Sequence, residues 1–394
     1  MKENSYSLII PTFNDHKYLH KLLDSLLDQI TKPNEIIIVD SSSDNKIENL
    51  IKNFKSTTLN LSYYKIPPSY AGKSINYGVN LSKSEYISFL DTKTIPENNW
   101  LSFYDSEIKK KGYNLIFGST RYHSSTYFQE LLRAASYGII SHETVPGTIV
   151  KRSLFLSEKG FMEKVRSGYD IEWRNRIKKK SNWIVPQNYF INYSYLPKNI
   201  LETIKKYSFY SLNSAIINIQ NSIKDLYLTL LLILTALIIP RWNFMLSGWE
   251  ANPLYIPNIT KIYMISLIIL LLIYNLLKNL NFFKNTFFFS TILKFLIFIL
   301  CTYSIYNWND IVAGWVEDSL LYIPHITKIY ISLIILLSIL YRGIFMPLKR
   351  KVDINFLFPF KWINVGLLGL FIDITKAPFY VMGSLISPFL KKYE

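Results

Sequence analysis

Two short apolar runs constrain the first half of this chain more than any other feature. Ser7–Pro11 (SLIIP) and Glu35–Asp40 (EIIIVD) show no apolar–polar alternation, so as strands they are covered on both faces. A helical pattern follows each one, at His16–Leu27 (HKYLHKLLDSLL) and at Lys46–Phe54 (KIENLIKNF). Leu61–Lys65 reads as a third strand, Ser74–Leu81 as a helix and Tyr86–Asp91 (YISFLD) as a fourth strand. Strand and helix alternating at this spacing predict parallel βαβ units in an α/β domain. Asp40 and Asp91 close their strands at the carboxyl ends, where open α/β sheets bind ligands.

The character changes near residue 224. Four uncharged or nearly uncharged apolar runs follow: Leu226–Ile239, Ile262–Leu277, Ile292–Tyr306 and Ile329–Leu340. Each falls short of the ~20 residues a spanning helix prefers, but four together, flanked by aromatics and lysines, favour membrane crossing. An internal repeat runs through them. Trp242-Asn243 with Gly248-Trp249 matches Trp308-Asn309 with Gly314-Trp315, and Ile259–Tyr263 (ITKIY) matches Ile326–Tyr330. The expectation is an all-α transmembrane domain of duplicated helical hairpins over 225–345, its repeats at 242–277 and 308–342. An interfacial linker helix over 201–224 precedes it. An amphipathic interfacial segment follows over 346–394, interrupted by Pro359, Pro378 and Pro388. The four tryptophans read as an aromatic belt.

Charge agrees with that layout. The formal net charge is +16, and the excess is spread over both halves rather than gathered on one domain. This disfavours a nucleic-acid partner and suits a membrane protein with basic cytoplasmic flanks. Lys278, Lys284, Arg342, Lys349, Arg350 and Lys351 mark one side as cytoplasmic. The first apolar run, Leu8–Ile10, is too short for a signal-peptide core, so residues 1–200 are expected in the cytoplasm, held at the cell membrane. The single cysteine, Cys301, excludes a disulfide framework and a cysteine-based zinc site.

Several ordered motifs carry chemistry. SLIIPTFN at 7–14 and EIIIVDSSSD at 35–44 are strands ending in polar turns, and AGKSINYG at 71–78 places Lys73 at a turn. YISFLDTKTIP at 86–96 ends its strand with Asp91 and Lys93. GTIVKRSLFLSEKGF at 147–161 and GYDIEWRNR at 168–176 complete the set. In this order they resemble the family 2 glycosyltransferases of GT-A fold (the Rossmann-like nucleotide-diphospho-sugar transferase fold) over roughly residues 5–195.

The resemblance implies that Pro11, Thr12, Phe13 and Asp40 contact a donor nucleobase and that Lys73 meets its diphosphate. Asp91 corresponds to the first acid of the family's Asp-x-Asp motif, which holds Mg²⁺ or Mn²⁺; the second acid is Lys93 here. Either Asp91 binds the ion with help from elsewhere, or Lys93 supplies the positive charge and the ion is dispensable. The second reading is preferred. Gly160, Phe161, Trp173, Arg176 and His142 are assigned to the acceptor side. Asp170 matches the general base of an inverting transfer, with an N-cap role as its structural alternative.

The expected function is a membrane-anchored inverting glycosyltransferase. It would move a sugar from a UDP-, GDP- or dTDP-linked donor to a lipid-linked or glycolipid acceptor in cell-envelope polysaccharide or lipopolysaccharide synthesis. The alternatives are a polyprenyl-phosphate sugar synthase and a catalytically degenerate membrane scaffold, the latter prompted by Lys93 and Tyr169 at positions usually acidic.

Overall fold

The structure, a computed structural model, describes residues 4–54, 58–217 and 335–386. The first three of the four apolar runs, the Trp-rich repeat and Cys301 lie outside them; of the fourth run, residues 335–340 are described and helical.

The strands are β1 (Tyr6–Thr12), β2 (Glu35–Asp40), β3 (Leu61–Lys65), β4 (Tyr86–Phe89), β5 (Thr94–Pro96), β6 (Leu115–Tyr122), β7 (His142–Lys151), β8 (Trp183–Ile184) and β9 (Ile191–Tyr193). The helices of the same half are α1 (His16–Leu27), α2 (Lys46–Asn53), α3 (Ala71–Leu81), α4 (Trp100–Lys111), α5 (Tyr127–Ser136), α6 (Arg152–Ser157), α7 (Tyr169–Ile177) and α8 (Ile200–Ile216). Three more follow near the C-terminus: α9 (Met346–Lys349), α10 (Ile354–Leu357) and α11 (Lys361–Ile386).

The strand order is β3-β2-β1-β4-β7-β6-β9-β5, with β8 paired to β6. The first four strands are parallel, as the βαβ alternation requires, and β7 joins β4 antiparallel. The expected α/β domain is therefore present. Only four residues separate β5 from β4, yet β5 occupies the far end of the order, paired to β9. Only a curled sheet can satisfy both positions.

Side-chain alternation distributes the apolar strands over two cores. Leu8, Ile10, Ile36 and Ile38 pack with Leu19, Leu22, Leu23 and Leu26, the i, i+3, i+4, i+7 stripe of α1. Ile9, Ile37 and Val39 face the other way, onto Ile75 and Val79 of α3 and an aromatic group of Phe89, Phe155, Phe161 and Trp173. With both faces covered, Leu8–Ile10 of β1 and Ile36–Val39 of β2 are uninterrupted apolar runs. Each fully buried leucine contributes about 1.5–3 kcal/mol.

Residues 1–219 and 338–394 make one compact unit. Leu131, Leu132 and Ala134 of α5 and Tyr207 of α8 share a third core with Val352, Leu357, Val365, Leu368 and Ile372. The C-terminal segment thus packs against the α/β half rather than standing apart from it. Along α11 the Ser211 hydroxyl donates to the Lys376 carbonyl at 3.0 Å, and Lys376 lies over the Tyr207 ring at 4.9 Å. Pro378 sits inside α11 without ending it, against the expected interruption, and Pro359 precedes the helix. Proline there removes one backbone donor, and contacts with α8 hold the helix across the gap. Lys361–Tyr380 is long and apolar enough to cross a membrane by length and composition, the one such stretch among the described residues.

Candidate active site

The site is assembled at the carboxyl ends of β1, β2 and β4. Asp91 follows β4 in the turn that leads to β5. Thr94 clamps that turn: its hydroxyl donates to the Asp91 carbonyl at 2.6 Å and accepts the Asp91 N–H at 3.1 Å. The Asp91 carboxylate itself makes no hydrogen bond among the described residues. Burial pushes its pKa up to about 6, the negative charges of Asp170 and Asp15 push the same way, and Lys93 opposes them.

Asp170 lies in the first turn of α7, behind Gly168, which caps the helix at φ 88°. No side chain caps this helix, so the N-cap role open to Asp170 is not taken. Its carboxylate is half-buried and accepts no hydrogen bond among the described residues. Two uncommitted carboxylates, from segments 79 residues apart in sequence, therefore face one electrostatic environment.

Lys93 points into the same region. Its ammonium lies 3.3 Å from Asp15 and 4.9 Å over the ring of Tyr18. Helix α8 brings Tyr210 within electrostatic reach of the acid pair. The Tyr210 phenol is pushed up by desolvation and then by the charges of Asp170 and Asp91. Lys206 is pulled down to about 8 by desolvation, with Lys93 as the second cause. Sequence reading treats 201–224 as a linker and misses Lys206, Tyr210 and also Asp15. Nothing local marks them, because docking of α8 is what brings Lys206 and Tyr210 here.

Asp40 is not available in the way expected. It is 0% exposed and its carboxylate accepts five hydrogen bonds. Oδ1 takes the Thr12 hydroxyl at 3.1 Å and both the N–H and hydroxyl of Ser42; Oδ2 takes Tyr63 at 3.0 Å and Lys65 at 3.1 Å. Burial alone would raise its pKa, but the bonds from Ser42, Lys65 and Tyr63 outweigh it and hold the group below the usual carboxylate range. As folded, Asp40 ties the β1 and β2 turns together, and it reaches a base only if Lys65 or Tyr63 yields. Thr12 is spent on the same bond and Pro11 is half-buried, so the surface this turn offers is the Phe13 ring, 52% exposed. Lys73 is exposed in the first turn of α3, with no partner among the described residues.

The acceptor-side assignments need correction. Phe161 and Trp173 are 2% and 0% exposed and pack ring to ring at 4.9 Å, so they build the core beneath α7 and touch no acceptor. Gly160 has φ 61°, and a Cβ there would meet Asn76 Oδ1 at 2.6 Å. Asn76 holds the adjacent peptide like a strand partner, accepting Phe161 N–H at 2.9 Å and donating to its carbonyl at 2.8 Å. Arg176 donates to both oxygens of Glu172 and to the Gly160 carbonyl, which fastens α7 to that loop. His142 packs edge-on to Tyr122 and Tyr137, and its Nε2 lies 2.7 Å from the Tyr137 carbonyl. These five residues position α7 and its neighbours. The side chains drawn together around the reacting region are Asp91, Asp170, Lys93 and Asp15, with Lys206 and Tyr210 from α8.

Lys93 stands where a second carboxylate would ligate, and its charge is already matched to Asp15. Among the described residues no three His, Cys, Asp or Glu side chains are arranged to hold a metal.

The family model of Glycosyl transferase family 2 matches residues 7–167. Over this stretch the chain is similar to family 2 glycosyltransferases. The chain also aligns with Staphylococcus aureus poly(ribitol-phosphate) beta-N-acetylglucosaminyltransferase TarP, 33% identical over 116 residues, covering 28% of this chain and 35% of TarP. An uncharacterised glycosyltransferase of Rickettsia typhi is 34% identical over 94 residues, covering 23% of this chain and 29% of the relative. The chain thus spans about a third of the length of these curated relatives. Among solved structures, that of S. aureus TarS 1–349 in complex with UDP-GlcNAc aligns at 14% identity with a TM-score of 0.40, covering 98% of this chain and 92% of that one.

Proposed function

We propose that the chain is an inverting glycosyltransferase that moves a sugar from a nucleotide-sugar to an acceptor held at a membrane. The observation that carries this reading is the pair of unbonded carboxylates, Asp91 and Asp170, at the ligand-binding edge of a family 2 domain. Asp170 takes the proton of the acceptor hydroxyl as that oxygen attacks the anomeric carbon. The bond from that carbon to the diphosphate breaks on the opposite face, and its electron pair leaves with the nucleotide. Asp91 and Lys93 flank the donor, and the exposed Phe13 ring supports the base.

The acceptor is a lipid-linked or glycolipid glycan of cell-envelope polysaccharide or lipopolysaccharide synthesis, and the site works on the cytoplasmic side of the cell membrane. The apolar runs after residue 224 and the spanning-length stretch Lys361–Tyr380 support that placement. The Lys93–Asp15 pair supports a transfer that needs no divalent ion.

The test is transfer from UDP-, GDP- and dTDP-sugars to membrane extracts by the purified full chain. Asp170→Asn removes the base and keeps the side-chain shape. It should cut the rate by roughly 10²–10⁴ with nucleotide affinity retained. Undiminished transfer by Asp170→Asn would remove the aspartate from the reaction. Failure of the wild type to bind or turn over any nucleotide-sugar would favour a scaffold.

A further inference from the structure

Transfer leaves new negative charge on a diphosphate, beside two carboxylates. Something cationic has to balance it, and the turn after β4 offers only Lys93, half-committed to Asp15.

Helix α8 brings a second cation to the same place. The Lys206 ammonium lies 5.6 Å from the Tyr193 ring centroid and 5.7 Å from that of Tyr210. Tyr193 is the register partner of Thr94, the residue directly after Lys93. From the other direction, Lys93 lies over Tyr18, Tyr18 meets Tyr195 edge-on at 4.5 Å, and Tyr195 meets Tyr193 at 6.2 Å. A run of contacting tyrosines therefore links the two ammonium groups, Lys93 at one end and Lys206 at the other. Aromatic faces attract an ammonium without neutralising it. No carboxylate pairs with Lys206 among the described residues. It is half-buried, and burial first, then the charge of Lys93, lowers its proton affinity.

We infer that Lys206 and Lys93 form a two-ammonium clamp for a diphosphate, and that α8 is a wall of the donor site rather than a linker. This rests on the donor reading above. As the anomeric carbon–oxygen bond breaks, its electron pair goes to the β-phosphate oxygen; the clamp balances that charge and no proton moves to it. Lysines bind phosphate as point charges, and two of them take the place of a bridging cation.

The test is calorimetric titration of the full chain in excess EDTA with UDP, GDP, dTDP and inorganic pyrophosphate. Lys206→Met should weaken binding of whichever nucleoside diphosphate the wild type accepts by roughly 10–100-fold. Lys206→Arg, which keeps the charge and the stem, should stay within a few-fold and so separate charge from packing. Lys205→Met, on the exposed neighbour, should change nothing. Equal affinity of Lys206→Met and wild type for the diphosphate would overturn the clamp and leave the donor reading standing. Pyrophosphate binding that depends on Lys206, with no nucleoside diphosphate bound, would keep the clamp but assign it to a phosphate on the acceptor, so that the donor reading falls. No binding of any of the four probes would overturn the clamp.

Discussion

Replacing Asp91 by Asn should make the protein more stable at neutral pH and no more stable in acid. The carboxylate is half-buried beside Asp170 and Asp15, and its pKa rises from 3.8 to about 6. A carboxyl whose folded pKa lies above its unfolded one binds its proton more tightly when folded. Its contribution to stability is complete below about pH 4, declines as pH rises towards 6, and is lost above that. A shift of about two units at 1.36 kcal/mol each sets the ionisation penalty at no more than ~3 kcal/mol. Asparagine carries no charge at any pH, so Asp91→Asn should gain about 1–3 kcal/mol at pH 7.5 and close to nothing at pH 4. Urea unfolding followed by tryptophan fluorescence at the two pH values reads the difference directly. Because Asp170 is the largest charged contributor, Asp170→Asn should shrink the gain from Asp91→Asn. A gain that is equal at both pH values, or a loss at pH 7.5, would refute the electrostatic argument.

Transfer activity should persist in excess EDTA, since Lys93 takes the place of a ligand; complete loss restored only by Mg²⁺ or Mn²⁺ would show the opposite. Gly160→Ala forces a Cβ towards Asn76 at φ 61°, and should cost about 1–3 kcal/mol by chemical denaturation. Trp173→Ala empties a fully buried site and should cost about 3–5 kcal/mol. Trp173→Phe should cost under half as much, because the indole N–H it removes has no partner among the described residues; equal losses would show that the ring volume is not what matters.

Much of the first half is legible in the residues themselves. His16–Leu27, Glu35–Asp40 and Leu61–Lys65 have the boundaries that periodicity suggests, because local apolar spacing and burial on the sheet agree there. Asp91 and Asp170 come from motifs whose order alone marks them as partners. What sequence does not reveal is occupancy. The bonds that fill Oδ2 of Asp40 come from β3, a strand 21 or more residues downstream, and Trp173 looks like a surface residue of a short helix until Phe155 and Phe161 close over it. Lys206 belongs to a segment whose mixed apolar and basic character fits an interfacial helix equally well. Only its packing against the tyrosines of β9 and of α8 itself distinguishes the two.

The docking of α11 on α8 ties the two ends of the chain together in a practical way. Gly383 lies so close to the Leu212 carbonyl and Ala215 that any larger residue would lever the two helices apart. Trimming the protein back to its first 200 residues to obtain a convenient catalytic fragment would discard α8 and its buttress at once, leaving the acid pair without its lysine-bearing roof. Whatever holds the last helix in place therefore also sets the aim of Lys206.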